Sequence, residues 1–122
     1  MHMNDVTAVL GIEGLKELDR LKRHRTQLQA IYKQEIGGLG GSPYLVHVKN
    51  RDAVRKVLFQ HGIESGLVHK RNDIYTVFGG KKLNLPNMNR LESTYLFLPC
   101  NNHTKESDVK KICRIIKPYV TA

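Results

Sequence analysis

The feature that most constrains this chain is a run of apolar residues spaced three and four apart over residues 5–36. The run comprises Val6, Val9, Leu10, Leu15, Leu18, Leu21, Leu28, Ile31, Tyr32 and Ile36. This spacing predicts one long amphipathic helix, which Asn4 or Asp5 caps and which ends at Gly37. Two glycines in its first half weaken it by about 1 kcal/mol each relative to alanine. A small domain does not cover so long a helix alone, so we expect it to pack on a second domain or to self-associate.

Beyond this helix the chain alternates between short strands and helices. The predicted elements are, in order, a glycine-rich linker or tight turn at 37–41, a strand at Tyr44–Lys49, a helix capped by Asn50, a strand at Ile63–Val68, a short helix at 87–93 with Met88 and Leu91 facing inward, a strand at Thr94–Leu98 and a helix capped by Thr104. This order predicts an α+β domain in which helices cover, mainly on one face, a small sheet of about three strands.

The composition is that of a globular protein with a single domain. The chain has 122 residues, 40% of them hydrophobic and 25% charged, which is enough for one core without metal or disulfide support. Cys100 and Cys113 are too few for a disulfide framework and wrongly spaced for zinc, so we predict two free thiols and no metal. We expect a cytoplasmic protein without a membrane partner, because the sequence has neither a membrane-spanning apolar run nor a signal peptide.

The net charge of +9 allows a second interpretation, a small basic nucleic-acid-binding module. The glycine-rich segment at 37–41 also contains a G-x-x-G spacing like that of KH domains. Against this interpretation, the segment contains no charged residue, the strands lack clustered aromatic residues, and the positive charges are dispersed along the chain. Nucleic acid is therefore the alternative partner rather than the expected one.

Five consecutive polar side chains follow the second predicted strand and are the candidate binding residues. They are His69, Lys70, Arg71, Asn72 and Asp73. Loops at strand ends often carry binding groups, and these residue types can bind phosphates, carboxylates or sugar hydroxyls. The other interpretation is a solvated charged loop, which spacing alone does not exclude.

Several motifs occur in an order that resembles one known family. Met3–Ile12 is similar to its M-[ST]-[DE]-x-x-A-A-x-G segment, Arg51–Glu64 to its R-D-x-L…L…G-I-x-[ST] segment, Val68-His69 to the v-H pair that follows, and Leu85-Pro86 and Leu98-Pro99 to its paired L-P motifs. Together they resemble the C-terminal small domain of the pyridoxal-phosphate-dependent sugar aminotransferases called DegT/DnrJ/EryC1/StrS. We take that domain as residues 3–122, since Met1-His2 is typical of a cloning remnant.

The resemblance implies a site at the loop but no complete enzyme. In such enzymes this loop lies near the sugar nucleotide, so His69 would donate to a phosphate or carboxylate, Arg71 would pair with one, and Asn72 or Asp73 would bind sugar hydroxyls, with Lys70 beside them. Many members have Tyr and Pro after the histidine, whereas this chain has Lys70-Arg71, so the resemblance does not specify which sugar is bound. The family's cofactor domain would lie upstream of Met3, and no lysine here matches its Schiff-base motif. We therefore expect no cofactor in this chain, no turnover by it alone, and a large-domain partner bound through residues 5–36.

Overall fold

The N-terminal apolar run forms two helices, not the single one predicted. In the computed structural model, which describes residues 4–121, these are α1 (Asp5–Lys16) and α2 (Leu18–Ile36). At the junction the Glu17 amide donates to the carbonyl of Gly14, three residues back, at 3.2 Å. No side chain of α1 is buried, so no packing energy holds this glycine-weakened helix in line with α2. The cap is as predicted: the Asn4 side chain accepts from the Thr7 amide at 2.9 Å.

α2 supplies the long side of the core. Its buried residues Leu28, Tyr32 and Ile36 follow the predicted three- and four-residue spacing. The helix ends at Gly37, as predicted, and the positive φ of 69° at this residue favours glycine. The next residues form a tight turn into the first strand. The turn leaves no room for a side chain at Gly38, since a Cβ there would lie 2.8 Å from the Leu45 carbonyl oxygen.

The sheet has two antiparallel strands, β1 (Tyr44–His47) and β2 (Tyr95–Leu98). The predicted third strand at Ile63–Val68 contributes a single bridge, in which Gly66 and Phe97 exchange backbone hydrogen bonds of 3.0 Å. The reason lies in the outer edge of β2. The Tyr95 amide, which would extend that edge, already donates to the Leu91 carbonyl at the end of the preceding helix. Only one complete pairing position is left, too few for a strand.

Three further helices complete the fold: α3 (Arg51–Gln60), α4 (Pro86–Thr94) and α5 (Glu106–Ile116). Asn50 precedes α3 as predicted, but its φ is 50° and its side chain makes no capping bond. The prediction that Thr104 caps α5 is wrong. Lys105 occupies that position, and its amide donates to the Asp108 carboxylate at 2.9 Å, while Thr104 is buried one residue earlier.

The segment between Ile63 and α4 is mostly irregular. It contains two 3-10 turns, Asn72–Ile74 and Thr76–Phe78. Met88 and Leu91 of α4 were predicted to face inward, but they are 38% and 40% exposed. α4 therefore adds little to the core, and its apolar side chains remain partly exposed to solvent.

The core lies between one face of the sheet and helices α2, α3 and α5. Its buried residues are Leu28, Tyr32, Ile36, Tyr44, Val46, Val48, Val54, Leu58, Leu96, Leu98, Cys100, Val109, Ile112, Cys113 and Ile116. Cys100 and Cys113 are free thiols, as predicted, and burial raises the pKa of Cys113 to about 11. Among residues 4–121 no helix is both long enough and apolar enough to cross a membrane.

Candidate functional site

A cavity of about 290 Å³ lies over the second face of the sheet, opposite the core. Because side chains alternate along a strand, Leu45, His47, Tyr95 and Phe97 point to this face while their neighbours enter the core. Its other walls come from α4, from residues 69–71 and from the turn before β1. We call this cavity the sheet pocket.

The predicted site residues divide into two kinds around this pocket. His69, Lys70 and Arg71 line it. Asp73 is joined to it through Arg71, and Asn72 is exposed at the start of a 3-10 turn, outside the lining. The structure therefore brings four of the five predicted residues together, but Arg71 and Asp73 are largely buried while His69 and Lys70 are exposed.

Arg71 is the most completely bonded side chain of the site. Its side chain is 1% exposed, and Nε and Nη2 donate to the two carboxylate oxygens of Asp73 at 2.6 and 2.5 Å. Nη1 donates to Asn89 Oδ1 at 2.6 Å and to Glu92 Oε2 at 3.4 Å, and Nη2 donates again to the Leu83 carbonyl at 2.9 Å. These are five bonds from a guanidinium with five N–H groups. In this arrangement Arg71 has no N–H left for a substrate anion.

Asp73 completes the closure of a loop between residues 71 and 83. Its Oδ2 also accepts from the Leu83 amide at 2.8 Å, so both backbone groups of Leu83 are bound at the loop base. Hydrogen bonds from Arg71, then the bond from the Leu83 backbone, hold the pKa of Asp73 well below its usual range. The pKa of Glu92 is lowered chiefly by its hydrogen bond from Lys82, with Arg71 adding to the effect. We call Arg71, Asp73, Leu83, Asn89 and Glu92 the loop clamp.

Exposed polar groups lie at the rim of the pocket. The His69 ring meets the Phe97 ring edge-on at a centroid distance of 5.9 Å, and its backbone carbonyl accepts a hydrogen bond from the Tyr95 hydroxyl. Lys70 is exposed beside it. This rim can present an imidazole and an ammonium group to an anion, while the floor offers aromatic and aliphatic surface.

Sequence reasoning missed the partners of these residues. Asn89 and Glu92 are three residues apart on α4 and so project from one side of it, but this spacing does not identify Arg71 as their partner. His47 on β1 has a hydrogen bond of 3.0 Å between its Nδ1 and Thr94 Oγ1. Nothing in the sequence linked Arg71 to Asn89, Glu92 or the Leu83 backbone.

Comparison with known proteins identifies the family. A model of the DegT/DnrJ/EryC1/StrS aminotransferase family matches residues 1–117. No curated protein sequence matches the chain. AtS13 from Actinomadura melliaura is similar in structure, with 27% identity and a TM-score of 0.82 over 96% of this chain and 35% of its own.

Two further solved structures share the fold. The sugar aminotransferase CalS13 from Micromonospora echinospora has 23% identity and a TM-score of 0.81, covering 95% of this chain and 35% of its own. DesI, solved in the presence of its TDP-sugar product, has 18% identity and a TM-score of 0.74, covering 93% of this chain and 34% of its own. The chain thus spans about 35% of the length of these proteins. Since the family model covers nearly all of its residues, this chain belongs to the DegT/DnrJ/EryC1/StrS aminotransferase family.

Proposed function

We propose that this chain is the small domain of a pyridoxal-phosphate-dependent sugar-nucleotide aminotransferase and has no turnover by itself. The observation that carries the proposal is the family match over residues 1–117. The shared fold supports it, as does the TDP-sugar product of DesI, whose chain this one matches along about a third of its length. The substrate class and the reaction are both part of the proposal.

We propose that the cofactor chemistry comes from residues beyond this domain. Pyridoxal phosphate would supply an electron sink for breaking bonds at the amine carbon, and it would need a lysine to hold it. Such a lysine is held in a desolvated pocket, whereas every lysine of residues 4–121 is exposed. These residues do not fit the cofactor by themselves. We propose that a large domain supplies that lysine and that this domain is bound in part through α1 and α2.

Within the site, the two kinds of predicted residue take different roles. His69 and Lys70 are exposed at the rim and are proposed to bind the diphosphate or a carboxylate directly. Arg71 and Asp73 use their polar groups on each other and on Leu83, so we propose that they position the loop that carries Lys70. Asn72 is exposed at the outer side of this loop and is proposed to meet a sugar hydroxyl when a larger assembly closes on it.

The proposed binding site is tested by an amide NMR titration of the chain. The panel is UDP-, dTDP- and GDP-sugars, pyridoxal phosphate and a short single-stranded RNA. We expect a sugar nucleotide to shift the amides of residues 69–73, and the double variant His69→Ala, Lys70→Ala to weaken that binding by about ten-fold. The matched control, His103→Ala with Lys105→Ala, removes the same exposed side-chain types near α5 and should leave binding unchanged.

Two outcomes contradict the proposed function. Shifts with RNA alone would show that the positive charge serves nucleic acid, the alternative weighed from the sequence. Transamination of a keto-sugar nucleotide by the purified chain, with pyridoxal phosphate and an amino donor present, would contradict the absence of turnover by the chain alone.

A further inference from the structure

We propose that the sheet pocket binds the uracil or thymine ring of the nucleotide and that His47 reads the imide edge of that ring. This inference rests on the proposed function for the ligand class and adds which part of the ligand lies here. It assigns a role to a cavity and a histidine that the loop residues do not explain.

The tautomer of His47 follows from its neighbours. The Thr94 hydroxyl donates to the Arg90 carbonyl at 3.1 Å, as a threonine in the last turn of a helix commonly does. We therefore assign the proton of the 3.0 Å contact to Nδ1 of His47, with the Thr94 oxygen as its acceptor. In the neutral ring the other nitrogen, Nε2, is an acceptor. Nε2 makes no hydrogen bond within residues 4–121 and is not among the buried unpartnered atoms there.

The pocket matches a flat ring in size and lining. Its 290 Å³ is just below the range of roughly 300–1,000 Å³ typical of pockets for larger ligands. Tyr95 and Phe97 meet edge-on at 5.9 Å, and His69 also meets Phe97 edge-on at 5.9 Å. This row of rings, with Leu45 and Leu91 also in the lining, gives the faces of a nucleobase a surface for stacking.

The charges at the pocket orient the rest of the nucleotide. Lys70 is exposed at the rim, so a diphosphate attached to a base on the floor reaches a cation at the entrance. Glu92 also lines the pocket, but its carboxylate is already bound by Lys82 at 2.8 Å and by Arg71 at 3.4 Å. The repulsion that a bare carboxylate would exert on the phosphates is therefore reduced.

An acceptor on the floor distinguishes nucleobases by their ring nitrogens. Uracil and thymine carry an N3–H donor, whereas N3 of cytosine is an acceptor. Nε2 of His47 can accept a hydrogen bond from N3–H of uracil or thymine. With cytosine it would face the N3 lone pair, and the affinity would be lower because neither acceptor then has a donor. UDP and CDP share their ribose and diphosphate and differ only at N3 and the neighbouring C4 substituent, so their comparison isolates recognition of this edge of the ring.

The test is an NMR titration of the whole chain with UDP and with CDP at pH 8, following the pocket amides and the ring nitrogens of His47. We expect UDP to bind at least about ten-fold more tightly than CDP and to shift the Nε2 resonance. His47→Phe keeps a ring but removes the acceptor, so the preference should fall to about one. The control, His61→Phe, changes an exposed histidine outside this pocket and should retain the preference.

A second variant covers the case in which His47→Phe fails to fold. Thr94→Val removes the acceptor that fixes the tautomer, and we expect it to reduce the UDP preference while binding persists. Equal affinities for UDP and CDP, with shifts confined to residues 69–73, would overturn the nucleobase assignment and leave the proposed function standing. If neither UDP nor CDP binds, the nucleobase assignment is wrong, and the sugar-nucleotide titration above decides separately whether residues 69–73 form a binding site.

Discussion

The two faces of the same short sheet are built on different principles. The core face carries Tyr44, Val46, Leu96 and Leu98, each at most 1% exposed, within the core that includes residues of helices α2, α3 and α5. The second face carries side chains that are only partly buried, under a loop that polar bonds hold in place. Hydrophobic burial secures one side, and a guanidinium with its oxygen partners secures the other.

This difference separates stability from binding. Apolar packing is non-directional and closes every gap, so the core face leaves no room for a ligand. Hydrogen bonds are directional and can hold a loop away from the sheet, which leaves the sheet pocket beneath it. The loop clamp thus covers the second face, as the helices cover the first, but it leaves a cavity between the loop and the sheet.

The largest effect should come from removing bulk on the core face. Leu96→Ala deletes a fully buried side chain and should lower the free energy of unfolding by about 2–5 kcal/mol in urea titrations, because a cavity remains. The matched change on the other face, Leu45→Ala, should lower it by about 1 kcal/mol, since that side chain lines a pocket. Equal losses would break the distinction between the faces.

Breaking the loop clamp should loosen the loop without melting the core. Arg71→Met removes all five hydrogen bonds that Arg71 donates. The amide hydrogen of Leu83, which donates to Asp73 at 2.8 Å, should then exchange with solvent at least about ten-fold faster. Core amides such as Leu96 should change much less. The control is Arg90→Met on the exposed side of α4. Uniform acceleration across the chain would show that Arg71 supports the whole fold.

Acid should act on the same loop. The folded pKa of Asp73 is depressed, so its stabilising contribution is complete above the unfolded carboxyl value of about 3.9 and is lost as the pH falls from there through the folded value. Exchange at Leu83 and urea midpoints followed below about pH 4 should reveal this loss. Asp73→Asn should flatten that pH dependence, and an unchanged profile in the variant would count against Asp73 as its source.

The smallest effect on stability should come from α1. Val6 and Leu10 are 70% and 66% exposed, so changing both to serine should alter the free energy of unfolding by about 0.5 kcal/mol or less per site. The same double variant should reduce self-association in sedimentation experiments, because it removes exposed apolar surface. Phe59→Ser, at another exposed apolar site, is the control. A monomeric parent chain would contradict self-association through α1 and α2.

Local pattern predicted the core well, but it did not predict the contacts made by the candidate site residues. The burial of Leu28, Tyr32 and Ile36 follows from helical spacing, and that of Val46 from strand alternation. The single N-terminal helix was wrong, because periodicity does not report whether a helix has a surface to lie on. The third strand was wrong because pairing at Gly66 depends on which groups of β2 another element has already used.

The sequence by itself determined the α+β class, the helix end at Gly37, the free thiols and the family, because each depends on residue type and spacing along the chain. It also identified residues 69–73 as a candidate site, which stays a prediction. Only the tertiary structure decided that Arg71 is bound by Asp73, Asn89, Glu92 and Leu83 and that His47 faces a cavity. The physical reason is that a guanidinium pairs with whichever oxygens folding brings within about 3 Å, and those oxygens come from segments that the sequence keeps apart.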